Sequence, residues 1–188
     1  MQKNTIRISV EFDIDTDSLP GEEAEFLKAL RRKFSPGLII FDPTVRSLEG
    51  DGNDEESKKA SVGSIRKGTL CVCDSDERIK KKRSEGIPCI AYDPEGSSFF
   101  NWVLESLEGL DDDFIKKAYC RQSGIPLLIL KTKRTYIREY CNKDLDALFE
   151  LYEGPETTKY IEPLYEREKE RKYEETYIKL IYDLYDYG

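Results

Sequence analysis

From residue 5 the chain alternates. Ile6, Ile8, Val10, Phe12 and Ile14 fall on one side of an extended backbone, and Arg7, Ser9, Glu11 and Asp13 on the other. Successive strand side chains point to opposite faces, so this period predicts a half-buried strand over 5–15. After Pro20-Gly21 the period lengthens. Leu27, Leu30 and Phe34 recur at helical spacing between Glu22 and Phe34, acids first and bases last, before Pro36-Gly37. That order suits the helix dipole and its stop signal. Leu38–Phe41 is short and wholly apolar, as expected for a strand covered on both faces. Residues 1–45 therefore read as a β-α-β segment.

Residues 46–68 lose all periodicity. They are polar and rich in Gly and Ser, and read as a linker or long loop. A second α/β segment spans 69–130. It has a strand at Leu70–Cys73, a helix at Ser75–Ser84 with Ser75 as N-cap, and a strand at Ile87–Tyr92. Phe99–Leu107 fits helix or strand equally. Asp113–Gln122 reads as a helix stopped by Gly124, and Leu127–Leu130 starts another strand.

The last third, 131–188, gives strand, helix, helix. Thr135–Glu139 is a short strand after the basic turn Lys131–Arg134. Asn142 caps a helix whose apolar positions are Leu145, Leu148, Phe149 and Tyr152, ended by Gly154-Pro155. Arg167–Asp186 reads as a long amphipathic helix with Tyr173, Tyr177, Leu180, Ile181 and Leu184 on one stripe. The fold class expected is α/β.

Bulk properties narrow the chemistry. Formal net charge is −8, which disfavours non-specific binding to nucleic acid or an anionic membrane. No apolar run is long enough to span a bilayer, and the N-terminus lacks a signal-type apolar core. The five cysteines (Cys71, Cys73, Cys89, Cys120, Cys141) are odd in number, and three lie in apolar runs. They read as buried, reduced thiols of a cytoplasmic protein. Cys71-Val-Cys73 would put two thiols on one strand face, but the sequence offers no second pair and no histidine, so no metal site is assigned. The absence of histidine removes every His-based triad or ligand set, leaving Asp, Glu, Lys, Tyr, Cys or water as a base.

Other motifs carry little. Asp13-Ile-Asp15-Thr16-Asp17 resembles the metal-holding pair of haloacid-dehalogenase phosphatases. Its strand alternates, however, and Asp17 stands where that family has Thr or Val. As a calcium loop it fails at Ser18 and Ala24. Asp42 and Asp74 fall at the C-terminal ends of expected parallel strands, where α/β sheets place ligands. The basic run Lys80–Arg83 reads as a solvated last helical turn. There is neither GxGxxG nor GxxxxGK[ST].

The wording of the last third adds a resemblance. Arg134, Ile137, Arg138, Glu139, Asp144, Leu145, Leu148, Tyr152, Pro155, Thr158 and Tyr160 form a pattern similar to the first strand and first two helices of the GNAT superfamily of N-acetyltransferases, ribosomal-protein acetyltransferase type. Residues 69–128 resemble, more loosely, a region preceding such domains in some members. The resemblance implies transfer of an acetyl group from acetyl-CoA to an amine acceptor. It makes Thr158, Tyr160 and Glu162, between the two helices, the candidate acceptor contacts. The family's Q/RxxGxG/A pyrophosphate loop occurs nowhere in these residues, and Arg121–Pro126 has a Pro where that loop enters a helix. The expectation is an N-acetyltransferase chain, truncated or split before its cofactor half and inactive alone, with no cofactor-binding or catalytic residue assigned. The alternative is a non-catalytic α/β interaction module. Ten of twelve tyrosines lie between Tyr136 and Tyr187, so its contact would be the 167–187 helix, against a second copy or another chain.

Overall fold

The structure, a computed structural model, describes residues 5–41, 66–98, 100–154, 156–182 and 185–186. The linker read at 46–68 falls outside these up to residue 65. Its last three positions, Arg66–Gly68, already belong to a strand. The chain divides into two compact units, Met1–Leu127 and Leu128–Gly188.

The first unit is built on five strands: β1 (Thr5–Asp13), β2 (Leu38–Phe41), β3 (Arg66–Cys73), β4 (Cys89–Tyr92) and β5 (Val103–Leu104). Their order is β2-β1-β3-β4-β5, so the two segments read apart in the sequence share one sheet. β1, β3, β4 and β5 run parallel and β2 antiparallel. The expectation that Asp42 ends a parallel strand is thereby corrected, Asp42 itself lying outside the described residues. Gly37, at φ +75°, packs where a Cβ would come within 2.8 Å of the Ile8 carbonyl oxygen. The chain turns there against the middle of β1, so Leu38 pairs with Ile8 and the strand runs back until Phe41 meets Thr5.

Helices α1 (Gly21–Phe34), α2 (Asp76–Ser84) and α3 (Asp112–Gln122) cover the sheet. The predicted alternation of β1 holds, with Ile6 and Ile8 buried and Arg7, Ser9 and Glu11 exposed. Ile8, Leu70, Val72 and Ile90 form the main core with Leu27, Leu30 and Phe34 of α1 and Ile115 and Ala118 of α3. Burying side chains of this size contributes about 1.5–3 kcal/mol each. The opposite face carries a smaller cluster, Cys71, Cys73, Cys89 and Ala91 beneath Ile79, the one buried residue of α2. Phe99–Leu107, ambiguous in sequence, provides the two-residue edge strand β5.

The second unit opens with an antiparallel hairpin, β6 (Leu128–Lys131) and β7 (Tyr136–Arg138). The Thr132 hydroxyl accepts from the Arg134 and Thr135 amides to fix its turn. Helix α4 (Leu145–Tyr152) and helix α5 (Arg167–Tyr177) follow. Asn142 does not cap α4 directly. Asn142–Asp144 forms a 3-10 turn, entered by the Cys141 amide donating to Asp144 Oδ2 at 2.9 Å. α5 runs into a π turn over Ile178–Tyr182, and the predicted aromatic stripe is not the buried face. Tyr182 is buried, whereas Tyr173 and Leu180 are 53% and 55% exposed. Among the described residues no helix is long and apolar enough to cross a membrane.

Candidate functional site

In the first unit the C-terminal ends of the parallel strands converge. β1 ends at Asp13, β3 is followed by Asp74 and β4 by Asp93. A cleft of about 240 Å³ lies between the last two, lined by Asp74, Ser75, Asp76, Asp93, Ser97 and Ser98. Two of its carboxylates, Asp74 and Asp93, are engaged in fixing the loops around it. Asp74 accepts from the Asp15 amide at 2.6 Å and from Arg78 Nη1 at 2.7 Å. Arg78 also donates to the Asp13 carbonyl at 3.1 Å, tying β1 to the start of α2. Asp93 accepts from the Glu95 amide, the Ser97 hydroxyl and the Ser98 amide, a capped turn. Below, the Tyr92 hydroxyl donates to Glu23 at 2.7 Å, and burial with this bond pushes its pKa up to about 12. An edge this acidic repels phosphate and favours cations or hydroxyl-bearing ligands.

Asp13, Asp15 and Asp17 do not converge into one cage. Asp15 caps a 3-10 turn by accepting from the Asp17 amide at 3.1 Å, while Asp13 faces Arg78. Of the basic run, Lys80, Lys81 and Arg83 are exposed at the end of α2, as the sequence implies, and Lys82 is half-buried. Lys82 Nζ lies 3.3 Å from Glu11 Oε2 across the sheet, and the Arg83 guanidinium stacks 4.7 Å from the Phe100 ring.

Behind the cleft the cysteines of β3 and β4 meet. Cys73 Sγ donates to Cys71 Sγ at 3.4 Å, and Cys89 Sγ to the Ile87 carbonyl at 3.3 Å. Hydrogen bonding to the neighbouring thiols pushes Cys73 far above the ordinary thiol range. The same contacts hold Cys71 and Cys89 below it. No spacing rule pairs residue 71 with residue 89. Only the parallel β3–β4 register does.

In the second unit Thr158, Tyr160 and Glu162 all lie exposed on the connector between α4 and α5. Tyr160 is 82% exposed, with Lys159 Nζ 5.2 Å from its ring centre. The structure places them together on one exposed loop. Beside it lies a built polar cluster that sequence reading missed. Arg138 forms a two-pronged ion pair with Asp144, 2.7 Å and 2.5 Å. Burial alone would raise the Asp144 carboxyl, but the Arg138 bonds and the Cys141 amide outweigh it and hold it below the ordinary value. Tyr182 Oη accepts from the Tyr140 amide at 3.0 Å, and buried Glu170 accepts from the Tyr165 amide at 2.8 Å. The Tyr140 hydroxyl is buried without a hydrogen-bond partner among the described residues, its pKa driven up by burial and then by Glu174. Arg138 and Asp144 were both part of the family-like pattern, and their spacing across a strand-to-helix turn was the available signal. No family model matches the chain, and neither does any curated protein or solved structure.

Proposed function

We propose that residues 131–188 are the acceptor-side opening of an N-acetyltransferase of GNAT type, transferring acetyl from acetyl-CoA to an amine in the cytoplasm. One observation carries the reading. The strand β7, helix α4 and helix α5 follow in the order that the pattern of Arg138, Asp144, Leu145 and Tyr152 implies, and the hairpin leading into them leaves apolar residues uncovered. Ile129, Leu130 and Ile137 are 64%, 50% and 52% exposed on a two-stranded sheet. Such a hairpin is marginal until further strands or a helix cover it, as the remaining strands of an acetyltransferase sheet would. Thr158, Tyr160 and Glu162 then line the acceptor groove. Lacking Q/RxxGxG/A, these residues supply no cradle for the cofactor pyrophosphate.

Two measurements test this together. Calorimetric titration of the 188-residue chain with acetyl-CoA should give no heat of binding. Fused after residue 188 to a cofactor half that brings two more strands and a Q/RxxGxG/A loop, the chain should release CoA thiol from acetyl-CoA when given amines. No thiol release by the fusion, or tight acetyl-CoA binding by the 188 residues alone, overturns the reading.

A second reading is a non-catalytic module contacting a second copy of the chain through α5. It is favoured by the exposure of Tyr165, Tyr173, Leu180 and Tyr185, 48–55% each.

A further inference from the structure

On the α2 side of the first unit, strand register brings three donor groups together and sets a fourth beside them. Cys71 and Cys73 are two residues apart on β3 and share a face. Cys89 is the in-register neighbour of Cys71 on β4, and Asp13 of Cys73 on β1. The sulfurs of Cys71 and Cys73 and a carboxylate oxygen of Asp13 all lie within 4.8 Å of one another. Cys89 Sγ lies outside that group and touches it through Cys73 alone, so this fourth donor closes in only as the metal binds. The three cysteines are buried to 1% exposure or less, whereas the Asp13 side chain is 44% exposed.

We propose that Cys71, Cys73, Cys89 and Asp13 bind one thiophilic divalent cation of the zinc class. Three thiolates and one carboxylate make a soft four-donor set, the number a tetrahedral zinc site needs. A zinc–sulfur bond of about 2.3 Å places two sulfurs of a tetrahedron roughly 3.8 Å apart. The Cys71–Cys73 separation of 3.4 Å is close to that value. Asp13 offers the entry path from solvent. The bound set would carry two excess negative charges, and two cations flank it. Arg78 Nη1 lies 3.7 Å from Asp13 Oδ1, and the charge of Lys82 acts on Cys71. Metal entry breaks the Cys73–Cys71 and Cys89–Ile87 hydrogen bonds and releases the three thiol protons to solvent, so affinity falls on acidification. The competing explanation is that the thiols merely fill space beneath Ile79 as small apolar groups. The site is independent of the acetyl-transfer reading.

Cobalt(II) titration of the full chain, reduced and freed of metal, decides between them. One equivalent should produce thiolate-to-cobalt charge-transfer bands in the near ultraviolet and tetrahedral d–d bands in the visible, and zinc should abolish both. Cys71→Ser and Cys73→Ser break the close-set group and should lose the signal. Cys89→Ser removes the donor outside that group and should lose about a third of the charge-transfer intensity, one sulfur in three. Asp13→Asn should weaken binding about tenfold or more. A Cys120→Ser/Cys141→Ser double variant should keep the full signal, since Cys120 packs in the main core and Cys141 belongs to the second unit. Far-ultraviolet circular dichroism identifies any variant that fails to fold, and the unmutated chain answers the question without variants. Absence of charge-transfer bands in the unmutated chain, or bands that survive Cys73→Ser or vanish in the Cys120/Cys141 variant, overturns the proposal.

Discussion

Glu174 of α5 is partly buried beside Glu170, and its carboxyl is raised above the ordinary range, first by burial and then by the Glu170 charge. An acid that holds its proton more tightly folded than unfolded stabilises the fold below its unfolded pKa. That contribution is lost as pH rises through the folded value. At neutral pH the ionised Glu174 is therefore a cost. Glu174→Gln should raise the melting temperature near neutrality, by an amount worth a few tenths of a kcal/mol because water still screens the group. The gain should shrink to nothing as the pH drops below the ordinary glutamate range. A neutral-pH melting point that falls in the variant would show that the carboxylate is satisfied where it stands. Glu170 differs although it lies four residues away. It is 4% exposed and accepts from the Tyr165 amide, so its charge has a use.

Elements in the first unit are positioned by two glycines for different reasons. Gly37 sets the direction of β2 through its left-handed backbone. Gly68 instead makes room within β3, where an added Cβ would overlap the phenol of Tyr119 on α3. Tyr119 is 8% exposed and has little freedom to withdraw. Gly68→Ala should destabilise the unit by about 1–3 kcal/mol in chemical unfolding, the range for overpacking a filled core. Combining it with Tyr119→Leu should cost less than the sum of the two single changes, since both act on one contact. Strict additivity would mean the two positions do not press on each other. In α2 the N-cap is legible from sequence, and Ser75 Oγ accepts from the Arg78 amide at 3.4 Å. That capping points Arg78 back to Asp74 and Asp13, so a local helix signal has a consequence across the sheet.

Among the described residues, most of the exposed apolar side chains lie in the second unit. Tyr160, Ile161, Tyr173 and Leu180 are each more than half exposed, alongside Ile129 and Ile137 of the hairpin. Sedimentation equilibrium should show the average mass rising with concentration above the 21.8 kDa of a single chain. Leu180→Glu or Tyr173→Glu should return it to the monomer value, because a charge on an apolar contact must be desolvated. A chain that stays monomeric at high concentration would remove the self-association reading and leave the acetyl-transfer reading untouched.

What the sequence by itself determined was local. The alternation of Ile6–Ile14 located β1 and its buried face, and helix periodicity with Ser75 and Gly124 located α2 and α3. The pattern from Arg138 to Tyr152 located the strand and first helix of the second unit. These follow from contacts a few residues apart, which composition and period encode directly. Tertiary structure decided the rest. The direction of β2 depended on one glycine meeting the Ile8 carbonyl. The burial of Glu170 and Tyr182 in place of Tyr173 depended on which face of α5 packs within the second unit, which periodicity does not announce. Most of all, Cys71, Cys73, Cys89 and Asp13 lie on three strands spread over residues 13–89. Strand register, which no single segment carries, is what gathers the donors of Cys71, Cys73 and Asp13 and sets Cys89 next to them.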